Sequence, residues 1–226
     1  MMRAMNSPYL RTGLAAFALC TLIVSPSHSQ PPPIERRESP KLKKFLSEHP
    51  LAEKTLTNTI SKVFSNRTVD LFYFYDDDDN TKPPAYHYYP RGQGDAEVII
   101  CVRENQVPLD EYFCLLFETL NSRSEADFKK LTQEAREGKI SRDDFAWGIL
   151  RSEFTAALDT RTALMNLNLD KSDTIGSYHY NRVLNSPTNF NDFLLYIKKD
   201  SKRDVFKEYQ EKYDAIRKNP AQSNRR

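Results

Sequence analysis

What this chain lacks first is net charge. Its 226 residues hold 33 Lys and Arg against 31 Asp and Glu. Residues 1–29 contain two of the basic side chains, Arg3 and Arg11, and no acid, so the rest carries 31 of each sign. A balanced chain sets up no long-range field to gather nucleic acid or an anionic membrane, and neither is expected as a partner. Cysteine is scarce too. Only Cys101 and Cys114 lie beyond residue 29, with no Cys-x-x-Cys pair, which excludes a disulfide-built scaffold. Past that point no apolar run is long enough to cross a bilayer. There is no internal repeat, no Gly-x-Ser-x-Gly, no Walker-type phosphate loop and no catalytic Cys/His signature.

The first 29 residues do carry a pattern. Arg3 and Arg11 precede an apolar run, Leu14 to Val24, too short for a bilayer, and Ser27-His28-Ser29 offers small residues for cleavage before Gln30. This reads as a signal peptide over 1–29 and predicts a secreted or periplasmic protein; the alternative is an uncleaved anchor. Cys20 follows Leu19, where lipidation favours a small residue, so a lipoprotein is disfavoured. In an oxidising compartment Cys101 and Cys114 either form one disulfide or are two buried small hydrophobes. Asn66-Arg67-Thr68 is a glycosylation sequon if the host is eukaryotic.

Residues 30–40 are proline-rich and charged and read as an extended linker. A single α+β domain is expected over 41–217, with a disordered tail over 218–226. The mature length of just under two hundred residues suits one domain with a real core. Lys41 to Glu48 reads as a short helix, and Pro50 opens a second with Leu56, Ile60, Val63 and Phe64 on its apolar side. Thr68–Tyr75, Ala85–Tyr89 and Glu97–Arg103 are rich in aromatic and β-branched residues and read as strands, the last two joined by a turn over 90–95. The expected sheet is small, antiparallel or mixed, of about three strands, packed against several helices. Those helices start at Pro108, at Ser124, at the capping box of Ser141 and Asp144 (running to Leu169) and after Pro187. Ser172 to Asn185 shows no clear period.

One segment carries a chemical suggestion. Leu115-Leu116-Phe117-Glu118-Thr119-Leu120-Asn121 lies on an apolar helix that follows a strand and a short loop. In that order the chain resembles zinc peptidases of the zincin class, whose H-E-x-x-H places two histidines at i and i+4 to share one metal, with the glutamate between them activating water. In this frame Glu118 matches the general base, while Phe117 and Asn121 occupy the histidine positions. Gluzincin-type members draw a third ligand from a glutamate on a later helix, and Glu153 holds a comparable place. The resemblance implies a zincin-like scaffold without the imidazoles that hold zinc, so no metal and no cofactor are expected.

The residues support part of this directly. At about 100° per residue Glu153 shares a helix side with Phe145, Ile149, Ala156, Thr160 and Leu164, opposite Asp144, Arg151, Thr155, Asp159 and Thr162. A carboxyl there must find a partner or stay protonated. Glu118 lies near the edge of its helix's apolar arc and reads most simply as a solvated acid. His49, His87 and His179 are scattered, although His87 and His179 are pocket candidates together with Phe117 and Asn121. Asp76, Asp78 and Asn80 alternate like an EF-hand loop, but Thr81 and His87 replace its glycine and glutamate, so an edge-blocking turn is expected. Tyr73, Tyr75, Tyr86, Tyr88 and Tyr89 either line an exposed sticky face or pack under helices, the second being preferred.

Two functions follow. One is an exported, non-catalytic binding module for a protein or small ligand, on a zincin-like scaffold. The other is a hydrolase of unassigned class using Glu118 and Glu153 as acid and base. The first is favoured, because the two helices offer few further groups to orient a substrate.

Overall fold

A computed structural model describes residues 38–64, 68–74, 85–88, 97–103, 106–200 and 204–218. The signal-peptide reading, nearly all of the proline-rich linker, Asn66 and Arg67, the acidic run Asp76–Asn80, the turn at 90–95 and the tail past 218 fall outside those residues.

The chain enters through two short helices, α1 (Pro40–Glu48) and α2 (Pro50–Val63). Ser39 caps α1 by accepting from the Leu42 amide at 3.0 Å, and each helix has proline in its first turn, where the missing N–H is no loss. Leu42, Phe45 and Leu46 are spaced to share one side, and all are buried. Three strands follow, β1 (Thr68–Phe74), β2 (Ala85–Tyr88) and β3 (Glu97–Arg103). The sheet order is β1-β3-β2: β3 is central, parallel to β1 and antiparallel to β2. Along β2, Ala85 and His87 are buried while Tyr86 and Tyr88 are only partly so. The two tyrosines stack at 6.4 Å. Alternation puts them on the face opposite His87 and therefore away from the helix that His87 meets, not under it as expected.

That helix is α3 (Pro108–Asn121), and every residue from Leu109 to Asn121 is buried. It packs against α1, α2, β2, β3 and two later helices, α5 (Arg142–Met165) and α7 (Tyr178–Leu184). After α3 a 3₁₀ turn, Ser122–Ser124, leads to α4 (Glu125–Glu137), which buries only Ala135. Gly138, in the left-handed region at φ +71°, ends α4. Ser141 caps α5 by accepting from the Asp144 amide at 3.0 Å.

α5 ends at Met165, short of Leu169, because the chain turns through Asn168 in the left-handed region at φ +50°. The stretch with no evident period contains α6 (Lys171–Thr174) and α7, too short to show one. The last two helices are α8 (Phe190–Asp200) and α9 (Val205–Lys218). The architecture is α+β, with helices strongly dominant.

α7 exists through a tertiary contact. Asp110, buried in the first turn of α3, accepts from the backbone amides of Tyr178 (3.0 Å), His179 (2.9 Å) and Tyr180 (3.4 Å), and from the Ser177 hydroxyl. The carboxylate thus occupies the N-terminus of a seven-residue helix too short to persist alone. Asp110→Ala strands a hydroxyl and the amides together, and an expected loss of about 1–3 kcal/mol should appear as a lower denaturant midpoint. An unchanged midpoint would remove Asp110 from this role.

Candidate functional site

The centre of the molecule holds a buried polar cluster drawn from four elements. From β2, His87 Nδ1–H donates to Glu118 Oε2 of α3 at 2.6 Å, with the two residues 3 % and 2 % exposed. From α9, the Tyr209 hydroxyl donates to Glu153 Oε1 of α5, both residues being buried. The Glu118 carboxylate is close enough to act electrostatically on both Glu153 and Tyr209, so the two pairs share one neighbourhood. Asn121, one turn beyond Glu118, is also buried. Glu118 Oε1 and Asn121 Oδ1 have no hydrogen-bond partner among the described residues. The cluster is rich in acceptors and poor in protons.

That imbalance explains the electrostatics of Glu153. Burial pushes its carboxyl up from 4.5 to about 8, the Tyr209 hydrogen bond pulls it down, and the Glu118 carboxylate pushes it up again. Lys212 and Glu208 of α9 act weakly and in opposite directions. Glu153 is therefore a neutral acid at neutral pH, as a carboxyl on an apolar helix face should be. The Tyr209 hydroxyl is held well above the usual phenol range by burial and by Glu153.

The sequence candidates divide into three groups. Glu153 lies on the buried side of α5 with Phe145, Ile149, Ala156, Thr160 and Leu164, as its helical phase requires. Glu118 is not a solvated acid. The reading from one apolar arc fails because α3 is enclosed on all sides and has no exposed arc. His87 joins Glu118, but His179 does not. It is stacked on Phe113 at 5.5 Å with rings nearly parallel, beside Asp110. Burial lowers its imidazole to about 4, with Asp110 opposing and Arg182 and Arg103 assisting. His179 is thus a neutral core ring.

Phe117, at the position of the first zincin histidine, is a core residue at 1 % exposure, stacked on Phe113 at 5.9 Å. Among the described residues no three of His, Cys, Asp and Glu are arranged to hold a metal ion. Cys101 and Cys114 are both buried thiols, not a disulfide, and Cys114 Sγ–H donates to Gln106 Oε1 at 3.6 Å. Burial, with Asp110 and Glu118 nearby, raises the Cys114 thiol well above its usual value, so it is unreactive.

Sequence reasoning missed Tyr209 and Asp110. Tyr209 falls at helical spacing with Phe206, Tyr213 and Ile216, which marks it as a core residue, and its hydroxyl was the overlooked signal. Asp110 stands in the first turn of the helix after Pro108, where an acid is expected for that helix alone, and nothing in the sequence shows that it caps a second one.

A second feature lies on the surface where α5, α8 and α9 meet. An apolar groove of about 420 Å³ is lined by Trp147, Leu150, Leu194, Leu195, Val205 and Phe206 among others, with Asn191 and Asp204 as its polar members. Trp147 packs on Phe206 at 4.6 Å and edge-on to Phe190 at 5.9 Å. Leu195 is 66 % exposed.

No protein-family model, curated protein or solved structure matches this chain. Among the described residues no helix is long and apolar enough to cross a membrane.

Glu153 gives a pH test. Its folded value of about 8 exceeds its ordinary 4.5, so unfolding releases a proton between those limits. The stability it contributes is whole below about pH 4.5 and is lost as pH rises to about 8. At about 1.4 kcal/mol per pKa unit this amounts to several kcal/mol. Glu153→Gln keeps an acceptor for Tyr209 and has no proton to lose. Urea unfolding at about pH 5 and pH 8 should show the wild type losing stability relative to the variant. Parallel behaviour would mean that Glu153 is not buried as an acid.

Proposed function

We propose that the protein is an exported, non-catalytic binding module on a zincin-like scaffold that lacks the zinc-binding histidines. One observation carries the non-catalytic reading: Glu118, the residue in the general-base position, is 2 % exposed and hydrogen-bonded to His87. A general base must reach the proton it removes, directly or through one water, and this carboxylate is sealed in the core. The zincin-like reading rests on the order of strand, buried helix and later helix with its inward glutamate, and on the packing of α3 against both the sheet and α5. Export rests on residues 1–29.

The binding face best supported is the groove of α5, α8 and α9. Its volume of about 420 Å³ lies in the usual range for small ligands, its walls are apolar, and two polar groups stand at hand to orient a guest. The occupant that fits is a small, largely apolar molecule.

The hydrolase reading keeps one specific support. Glu153 is raised to about 8 beside a second carboxylate, the kind of divergence that assigns an acid and a base. It requires the core to open to substrate.

Trp147, the only tryptophan, lines the groove and serves as its reporter. The amphipathic anionic dye 8-anilinonaphthalene-1-sulfonate should bind the folded protein through its aromatic rings and draw energy transfer from Trp147, and Leu195→Asp should weaken binding at least about tenfold. Dye binding unchanged by Leu195→Asp would remove the groove from the proposal. The purified mature protein should carry no stoichiometric zinc after dialysis. About one retained zinc per chain, by elemental analysis, would overturn the non-catalytic reading.

A further inference from the structure

His49 stands at the junction of α1 and α2, and both of its ring nitrogens face acceptors. Nδ1 lies 2.9 Å from the Phe45 carbonyl oxygen, and Nε2 lies 3.1 Å from Asp173 Oδ2 of α6. A neutral imidazole has one N–H and satisfies one of these; the imidazolium satisfies both. The ring also stacks on Phe45 at 4.4 Å, a position that favours a cation.

The partner of His49 belongs to a weakly held segment. Residues 168–176 run between two left-handed positions, Asn168 at φ +50° and Gly176 at φ +80°. Nothing lies within 4 Å of where a Gly176 Cβ would sit. α6, within the segment, buries no residue, and Ile175 is 73 % exposed. Leu169 alone among its apolar side chains packs on the core. Beyond the segment the chain is fixed at both ends, by buried Leu167 and by Ser177 on Asp110. Asp173 also accepts from the Asp170 amide at 3.0 Å, so the carboxylate that holds His49 shapes the first turn of α6 as well.

We propose that residues 168–176 form a flap, hinged at Asn168 and Gly176, whose closed position is held by the doubly protonated ring of His49. The groups that govern the proton come from each neighbouring element. Asp173 acts from α6 and Glu48 from α1; α2 contributes only a backbone contact, the Glu53 amide donating to the His49 carbonyl at 3.2 Å. Partial burial works against the proton, but the Phe45 carbonyl and the two acids outweigh it, and the ring is raised above its ordinary 6.5. The clip is therefore complete below about pH 6.5 and lost as pH climbs through the raised value. Loss of the proton removes the charge that pairs with Asp173 and leaves one nitrogen facing an acceptor without a hydrogen, so the hold of His49 on the flap weakens.

Hydrogen exchange of the full mature chain, read by mass spectrometry and corrected for intrinsic rates, tests this. In a Glu153→Gln background, which removes the global loss of stability expected over this range, protection of residues 168–176 should fall about tenfold from about pH 5.5 to pH 8.5 while α5 stays protected. His49→Arg, which keeps the charge and the donors, should hold the flap protected at both pH values. His49→Ala should leave it unprotected at both. A flat profile in that background, the same pH dependence retained in His49→Ala, or loss of α5 protection in step with the flap would each overturn the proposal. If His49→Ala does not fold, Asp173→Asn replaces it. Disappearance of the pH dependence in that variant supports the clip, and its persistence overturns it.

Discussion

The structure depends on one constraint: α3 is buried along its whole length yet carries Asp110, Glu111, Glu118 and Asn121. A helix enclosed on every side is ordinarily apolar all round. Charged groups inside a core are tolerable only with partners, and here these come from other elements. Asp110 takes the amides of α7, Glu111 accepts from Ser39 at the start of α1 at 2.8 Å, and Glu118 accepts from His87 of β2. Tyr112 adds a hydroxyl donated to the Ala52 carbonyl of α2 at 3.2 Å. Each contact is directional, so α3 fixes the angle and register of its neighbours as well as the amount of apolar surface they bury.

The same constraint explains why the two glutamates of interest differ in kind. Glu118 has a hydrogen-bond donor in His87. Glu153 has a phenol and the field of Glu118, and so retains its own proton. Two carboxylates in one dry neighbourhood cannot both ionise cheaply, and the surroundings settle which one stays neutral. This arrangement rewards rigidity, and both pairs are buried. The groove of α5, α8 and α9 has the opposite character, with aromatic walls and an exposed rim.

Much of the helical layout was legible because capping residues and prolines announce helix starts through local chemistry. Pro50, Pro108 and Ser141 each open the helix that the sequence indicates. Glu153 was legible because an amphipathic helix reveals its buried side. Glu118 was not, since periodicity compares two sides of a helix and α3 has none exposed. The pairing of His87 with Glu118, 31 positions apart, depends on which strand lies at the sheet edge. α7 left no trace in the pattern because its stability is supplied by a carboxylate 67 residues upstream of Ser177.

The sheet order has a kinetic consequence. β1 is made first, but its partner is β3, and β2 lies between them in the chain while pairing on the far side. The first strand must wait through the second before any ladder closes. α3 comes directly after β3, so the sheet loses its vacancy and gains its cover within a single stretch of chain. Until residues near 121 are available, both early helices lack the surface on which they rest. Such a dependence on distant pairing slows collapse into the native form and makes assembly abrupt once it begins.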